Sequence, residues 1–317
     1  MPGAPAGLAW DRTAAAVAAV STLPAVAVTL GGDVHAGASF AVGVLPAALA
    51  GLAPRRRQRV RGALLSALAG VCILIGGVIA EAPVLAVAAI AALGVGTAWL
   101  AARSLFGMLA MTLALPMVGI GLSFDVSEAA GAAALITAGG LWAWLVSLAW
   151  PESEPSPRPA RAPGTAPTLA YGVRLGAAGA TAAAIGFGAG LDHVGWAVAA
   201  ALLVMRPAAE MQRLRSIGRL VSVFAGALAG VALVAWDPPS GVYAVAIAGA
   251  VAAAAGTHPS RWYVTAGFTT FLVFLIYLSA DPDTAGERFG ERVGETLLGV
   301  ALAALFGMAG SRRPQPG

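Results

Sequence analysis

Polar residues in this chain stand in short clusters, and between them run apolar stretches long enough to cross a bilayer, which takes roughly 17–25 residues per helix. The first half offers segments near 14–30, 37–53, 62–80, 83–102, 104–122 and 129–149. The second offers 169–187, 188–205, 217–236, 241–256, 262–280 and 290–309. This pattern predicts an all-α, polytopic membrane protein of about twelve transmembrane helices. Residues 151–168, with Pro151, Pro155, Pro157, Pro159, Pro163 and Pro167 among polar neighbours, have no apolar period and read as a cytoplasmic linker. The linker separates a first six-helix repeat, 1–150, from a second, 169–317.

The clusters themselves recur. His35, Gly37, Arg55, Arg57, Arg61, Arg103, Thr112 and Asp125 return in order as His193, Gly195, Arg213, Arg215, Arg219, Arg261, Thr270 and Asp283, at a constant offset of 158. Duplicated packets of membrane helices are a common skeleton of secondary transporters. An even number of spans per repeat starts both repeats on the same side, so the copies are parallel rather than inverted.

Composition excludes a soluble fold: 59% of residues are hydrophobic and 11% charged, with a mean hydropathy of +0.82, whereas soluble domains carry about 25% charge. Lys is absent, so Arg sets the orientation. Arg12, the run Arg55 to Arg61, Arg103, Arg158, Arg161, Arg206, Arg213, Arg215, Arg219, Arg261, Arg312 and Arg313 fall at one set of loop ends. Asp33, Glu81, Asp125, Glu128, Asp192, Asp237, Asp281 and Asp283 fall at the other. Basic loops stay inside, which puts both termini in the cytoplasm and makes the basic excess topogenic rather than a nucleic-acid footprint. Segment 14–30 is read as a retained helix and not a cleaved signal, because its counterpart at 169–187 cannot be one. Exclusive Arg use and Ala-rich helices point to a GC-rich bacterial genome, hence a bacterial plasma membrane. Cys72 stands alone within a span, which rules out an internal disulfide.

Charge kept inside a span is a functional candidate by default. Glu295 lies several residues into the last span with Arg292 three residues before it; either the pair is a charged helix end, or Glu295 carries a proton through the cycle. Arg174, one turn into the seventh span beside Tyr171, either snorkels to the headgroups or offers a bidentate seat to an aromatic carboxylate. Arg103 and Arg261 occupy equivalent inner turns and either gather the anion or fix topology. His35 and His193, at equivalent outer turns, read as solvated turns or as proton-uptake groups. Spans broken by Gly or Pro mark the binding site in duplicated transporters. Gly43 and Pro46 interrupt the second span, and Pro116, Gly119 and Gly121 the fifth; Thr112 and its equivalent Thr270 would face the substrate there.

No His-Glu-x-x-His, Gly-x-Ser-x-Gly or phosphate-loop motif occurs, so neither an enzyme nor a cofactor is expected, and uphill transport would draw on an ion gradient. The second repeat adds a resemblance. Its run Leu191, Asp192, His193, Val194, Gly195, Trp196, Ala197, then Val204, Met205, Arg206, Pro207, an Arg-rich loop with Arg219, and Glu291 through Thr296, Leu297, Leu298 and Gly299 resembles the fusaric acid resistance-like family, also described as aromatic acid exporters or integral membrane bound transporters. The resemblance covers roughly 169–309 and, more weakly, 14–149. It implies paired six-helix bundles that export organic, often aromatic, acids or toxic compounds. Many relatives carry a large cytosolic domain between or after the bundles, where this chain has the linker. The expectation is a proton-coupled exporter whose partners are an organic anion and the bilayer, with a homo-oligomer compatible and a periplasmic adaptor left open. The alternatives are a passive anion channel, to which plant malate channels are distantly similar in plan, and a non-transporting scaffold.

Overall fold

The structure, a computed structural model, describes residues 9–154, 167–206, 209–258 and 263–308. Among these residues every regular element is helical. In chain order they are α1 (Arg12–Ser21), α2 (Leu23–Leu30), α3 (Val34–Leu49), α4 (Arg56–Ala80), α5 (Pro83–Ala101), α6 (Leu105–Leu109), α7 (Leu115–Gly121), α8 (Val126–Ser147), α9 (Leu169–Ala189), α10 (Val194–Val204), α11 (Ala209–Trp236), α12 (Ser240–Gly256), α13 (Tyr263–Ala280) and α14 (Ala285–Met308). Of the linker, only its two ends lie among the described residues, as does neither Arg158 nor Arg161.

Four helices are long and apolar enough to cross a membrane, namely α4, α5, α8 and α11, and α1 with α2 makes a fifth if that bent pair is one span. The shorter elements fall short for local reasons. Segment 14–30 is broken at Thr22, where α1 and α2 meet at 46°. Pro24 has no N–H to donate, which interrupts the ladder there. Thr22 instead donates its hydroxyl to the Ala19 carbonyl at 2.7 Å. Segment 188–205 contracts to α10, because Gly190 ends α9 in a left-handed conformation (φ 63°) and a turn intervenes. Eleven residues rise only about 16 Å, half the hydrocarbon thickness. Segment 104–122 carries one π-helical turn, Ala110–Ala114, between α6 and α7. The turn fits Pro116, which would otherwise press on the Thr112 carbonyl four residues back.

The chain divides into two compact units, each drawn from both halves of the sequence. Unit 1 comprises Met1–Gly70, Gly131–Arg158 and Val221–Arg292; unit 2 comprises Val71–Ala130, Pro159–Leu220 and Val293–Gly317. In unit 1, α12 packs on α1, α2 and α3, and α3 on α13, around buried Val44, Ile247, Leu272, Phe274, Leu275 and Leu278. In unit 2, α9 packs on α5 and α10, and α10 on α7. Small residues let these backbones meet: a Cβ on Gly94 of α5 would land on the Gly176 backbone of α9.

Candidate functional site

At the Arg-rich end of unit 2, four helix ends converge on one phenol. Thr168 caps α9 by accepting the Tyr171 N–H at 3.1 Å, which fixes the first turn. Tyr171, 2% exposed, then donates its hydroxyl to the Met205 carbonyl, 3.1 Å away at the end of α10. Arg206 follows α10 and donates to the same Met205 carbonyl at 2.6 Å. Arg215 from α11 and Arg174 from α9 also act electrostatically on the phenol. Arg174 reaches across to the Gly307 carbonyl of α14 at 3.1 Å. Buried Gln212 completes the cluster, donating to the Ala303 carbonyl at 2.5 Å and standing 3.5 Å from the Arg206 N–H. Burial lowers the Arg206 guanidinium from its usual value, while the neighbouring Tyr171 raises it. Arginine still keeps its charge at any physiological pH.

Tyr171 and Arg174, singled out in the sequence, are therefore joined by three residues that were not. Arg206 and Arg215 were read for topology, for the family resemblance and for the repeat, not as site residues, and Gln212, a neutral residue in a polar run, gave no signal. Arg103 takes another course: it is exposed, with its guanidinium 3.8 Å over the Trp99 ring and bonded to the Trp99 carbonyl. Arg261 lies outside the described residues. Thr112 sits in the π-helical turn and donates to the Met108 carbonyl at 2.7 Å. Thr270, in unit 1, is fully buried, and its hydroxyl finds no hydrogen-bond partner among the described residues.

A second polar group occupies the other end of unit 2. His193, 6% exposed, stacks on the Trp196 ring at 4.2 Å between centroids. The N-terminus of α10 is served by Ser123, whose hydroxyl accepts the Gly195 N–H at 2.9 Å. Gly299 of α14 seats against Ala197 and Ala200 of α10, and further along Gln212 ties the end of α10 to Ala303. The two helices thus run the same way, and Glu295, one turn before Gly299, lies at the level of His193 and Trp196. Glu295 is 5% exposed and Thr296 1%. Arg292, the last residue of unit 1, is 8% exposed. Its neighbour Arg288 pairs with Glu291 at 3.0 Å. His35, by contrast, is exposed and holds the Ile276 carbonyl at 2.9 Å. Two histidines equivalent by sequence thus differ in burial and partner.

No group of His, Cys, Asp and Glu suited to a metal occurs among the described residues. Residues 181–306 match the family described as fusaric acid resistance protein-like. The match spans less than half of the chain. It takes in α10, α11, α12 and α13 and most of α14, including Arg206, Arg215, His193 and Glu295, and begins after Tyr171 and Arg174. Neither a curated protein nor a solved structure matches the chain. The apolar helices among the described residues, together with this likeness, suggest a multi-pass membrane protein.

Proposed function

We propose that this protein exports organic acids, aromatic carboxylates foremost, from a bacterial cytoplasm, driven by inward proton movement. The observation that carries this reading is the meeting of the buried Tyr171 phenol and Arg206 on the Met205 carbonyl, with Arg174 one turn along α9 and Arg215 reaching toward the Leu203 carbonyl of α10. Guanidinium groups are weakly hydrated forks that suit carboxylates, and an aromatic ring beside them favours a ring-bearing acid. The positive-inside pattern puts this cluster at the cytoplasmic face, where an exporter collects its load. Glu295 and His193, near the outer face, are the groups that would exchange the proton. A buried carboxylate in a span is costly to keep, about 2.5–3.5 kcal/mol on insertion scales for the related Asp, which favours a role for it.

The same reading takes the chain as two parallel repeats, with the broken and short helices completing twelve crossings and both termini in the cytoplasm. Its support is that a shift of 158 carries each segment of unit 1 near a segment of unit 2: Met1–Gly70 goes to 159–228, beside Pro159–Leu220, and Val221–Arg292 goes to 63–134, beside Val71–Ala130. Packing follows suit, since α9 on α5 has its echo in α1 and α2 on α12, and α10 on α7 in α3 on α13. Solute is moved rather than transformed, and no cofactor takes part.

Purified protein in liposomes loaded with labelled benzoate tests the reading. An imposed proton gradient should drive benzoate movement against its own gradient, and Glu295→Gln should abolish this. A steady anion current with no dependence on the proton gradient would instead establish a channel.

A further inference from the structure

The basic run that opens α4 divides by burial. Arg59 is 4% exposed and gives its guanidinium donors to the backbone carbonyls of Ala53, Ser147, Trp150 and Pro151. Arg55, Arg56, Arg57 and Arg61 are exposed. No hydrogen bond or ion pair joins the side chains of Arg55, Arg57 or Arg61 to another described residue. The carboxylate bonded here, that of Glu152, accepts the Arg56 backbone N–H at 2.7 Å and so caps the helix rather than pairing with a guanidinium.

Arg57 and Arg61 share one face of α4 with Val60, Leu64, Val71, Ile75 and Val78, all of them exposed, since steps of three and four residues keep to one side of a helix. The rise from Leu64 to Ile75 is about 16 Å, which matches one hydrocarbon leaflet of about 15 Å. A cationic cluster thus heads an apolar strip as long as an acyl chain.

The second copy shows that the repeat does not impose this outward turn. Arg57 and Arg61 correspond to Arg215 and Arg219, 158 residues on. Those two turn inward: Arg219 is 6% exposed, and Arg215 is half-buried, 3.5 Å from the Leu203 carbonyl of α10.

We propose that this face of α4 binds an anionic phospholipid, its phosphate held by the exposed arginines and one acyl chain laid along Leu64 to Ile75. A guanidinium meets a phosphate as a bidentate fork, and four or more basic residues beside a span are drawn to an anionic leaflet. The assignment is independent of the transport reading, because it uses no residue of the Tyr171 cluster.

The whole protein, purified in detergent and offered equal amounts of phosphatidylglycerol and phosphatidylcholine, tests it, with bound lipid counted by native mass spectrometry. Phosphatidylglycerol should be retained in preference. Arg57→Gln with Arg61→Gln should weaken its binding roughly thirtyfold, at about fivefold per arginine, whereas Arg57→Lys with Arg61→Lys should keep most of it. Arg12→Gln with Arg213→Gln removes two exposed arginines from α1 and α11 and should leave binding unchanged; an equal loss there overturns the site in favour of diffuse attraction. The proposal is also overturned if the two lipids bind alike, if millimolar inorganic phosphate displaces the lipid, or if a second copy of the chain does so by dimerising. Should the paired Gln variant not fold, the parent in about 1 M salt decides, because salt screens an exposed headgroup contact: a preference lost there supports the site, and a preference kept overturns it.

Discussion

The indole of Trp142 donates to the Ser21 carbonyl at 3.0 Å, and that carbonyl stands where α1 stops and α2 turns away. The helical ladder fails beside it because of Pro24, so α8 supplies a donor at the bend from outside the helix. Trp142→Phe keeps an aromatic ring, though a smaller one, and removes the donor. The expected cost is about 1 kcal/mol, more if the carbonyl stays dry. Thermal unfolding in detergent measures it; an unchanged midpoint would mean that the bend stands without Trp142.

Arg59 is fixed by geometry more than by charge, since its planar fork reaches carbonyls from both the α3–α4 loop and the end of α8. Lysine has three donors on a flexible stem and cannot span both. Arg59→Lys should therefore destabilise by at least about 2 kcal/mol, because charged hydrogen bonds to buried carbonyls are lost. Yield of folded protein and unfolding midpoint read the effect, and wild-type behaviour would contradict the clamp.

Much of this was legible beforehand, and the exceptions have causes. The bounds of α5, α12 and α13 follow the predicted segments because each is an unbroken apolar run flanked by polar turns. The breaks at Thr22 and Gly190 had their signals in Pro24 and Gly190, overruled in the reading by the apolarity around them. Arg59 was one of five arginines in a basic run; nothing local marks it, because its partners at Ser147, Trp150 and Pro151 lie some ninety residues away. Tyr171 and Arg174 were visible because a cation within an apolar stretch stands out. Gln212 was not, since a neutral amide does not.

Backbone contact between α5 and α9 sets a sharp packing limit. Gly176 has no room for a Cβ against Ala91 of α5, and Gly94 has none against Gly176. Gly176→Val should force the helices apart and cost about 1–3 kcal/mol or more. Gly96, also on α5 but with open space around it, should accept alanine without loss. Expression and unfolding of the two variants side by side decide whether close approach, and not glycine content, holds the pair.

Arg174 is the member of the Tyr171 cluster best suited to test substrate binding, since it is half-buried and its loss should leave the fold intact. Arg174→Gln removes one positive charge and, being two atoms shorter, also gives up the bond to the Gly307 carbonyl. If the cluster seats a carboxylate, the apparent affinity for benzoate should fall about tenfold, as loss of one charge-assisted bond implies, with the maximal rate little changed. Unaltered affinity would return Arg174 to a purely interfacial role.

His35 and His193 then separate two accounts of proton coupling. Exposed His35 is tied to the Ile276 carbonyl, while buried His193 rests on Trp196 at the level of Glu295. Were the repeats used alike, His35→Gln and His193→Gln would impair gradient-driven transport equally. Burial argues otherwise: only His193 gains or loses a charge away from water, where the change has leverage on its neighbours. His193→Gln should shift the pH profile of transport, and His35→Gln should leave it in place. Equal shifts would locate proton exchange outside the His193 and Glu295 region.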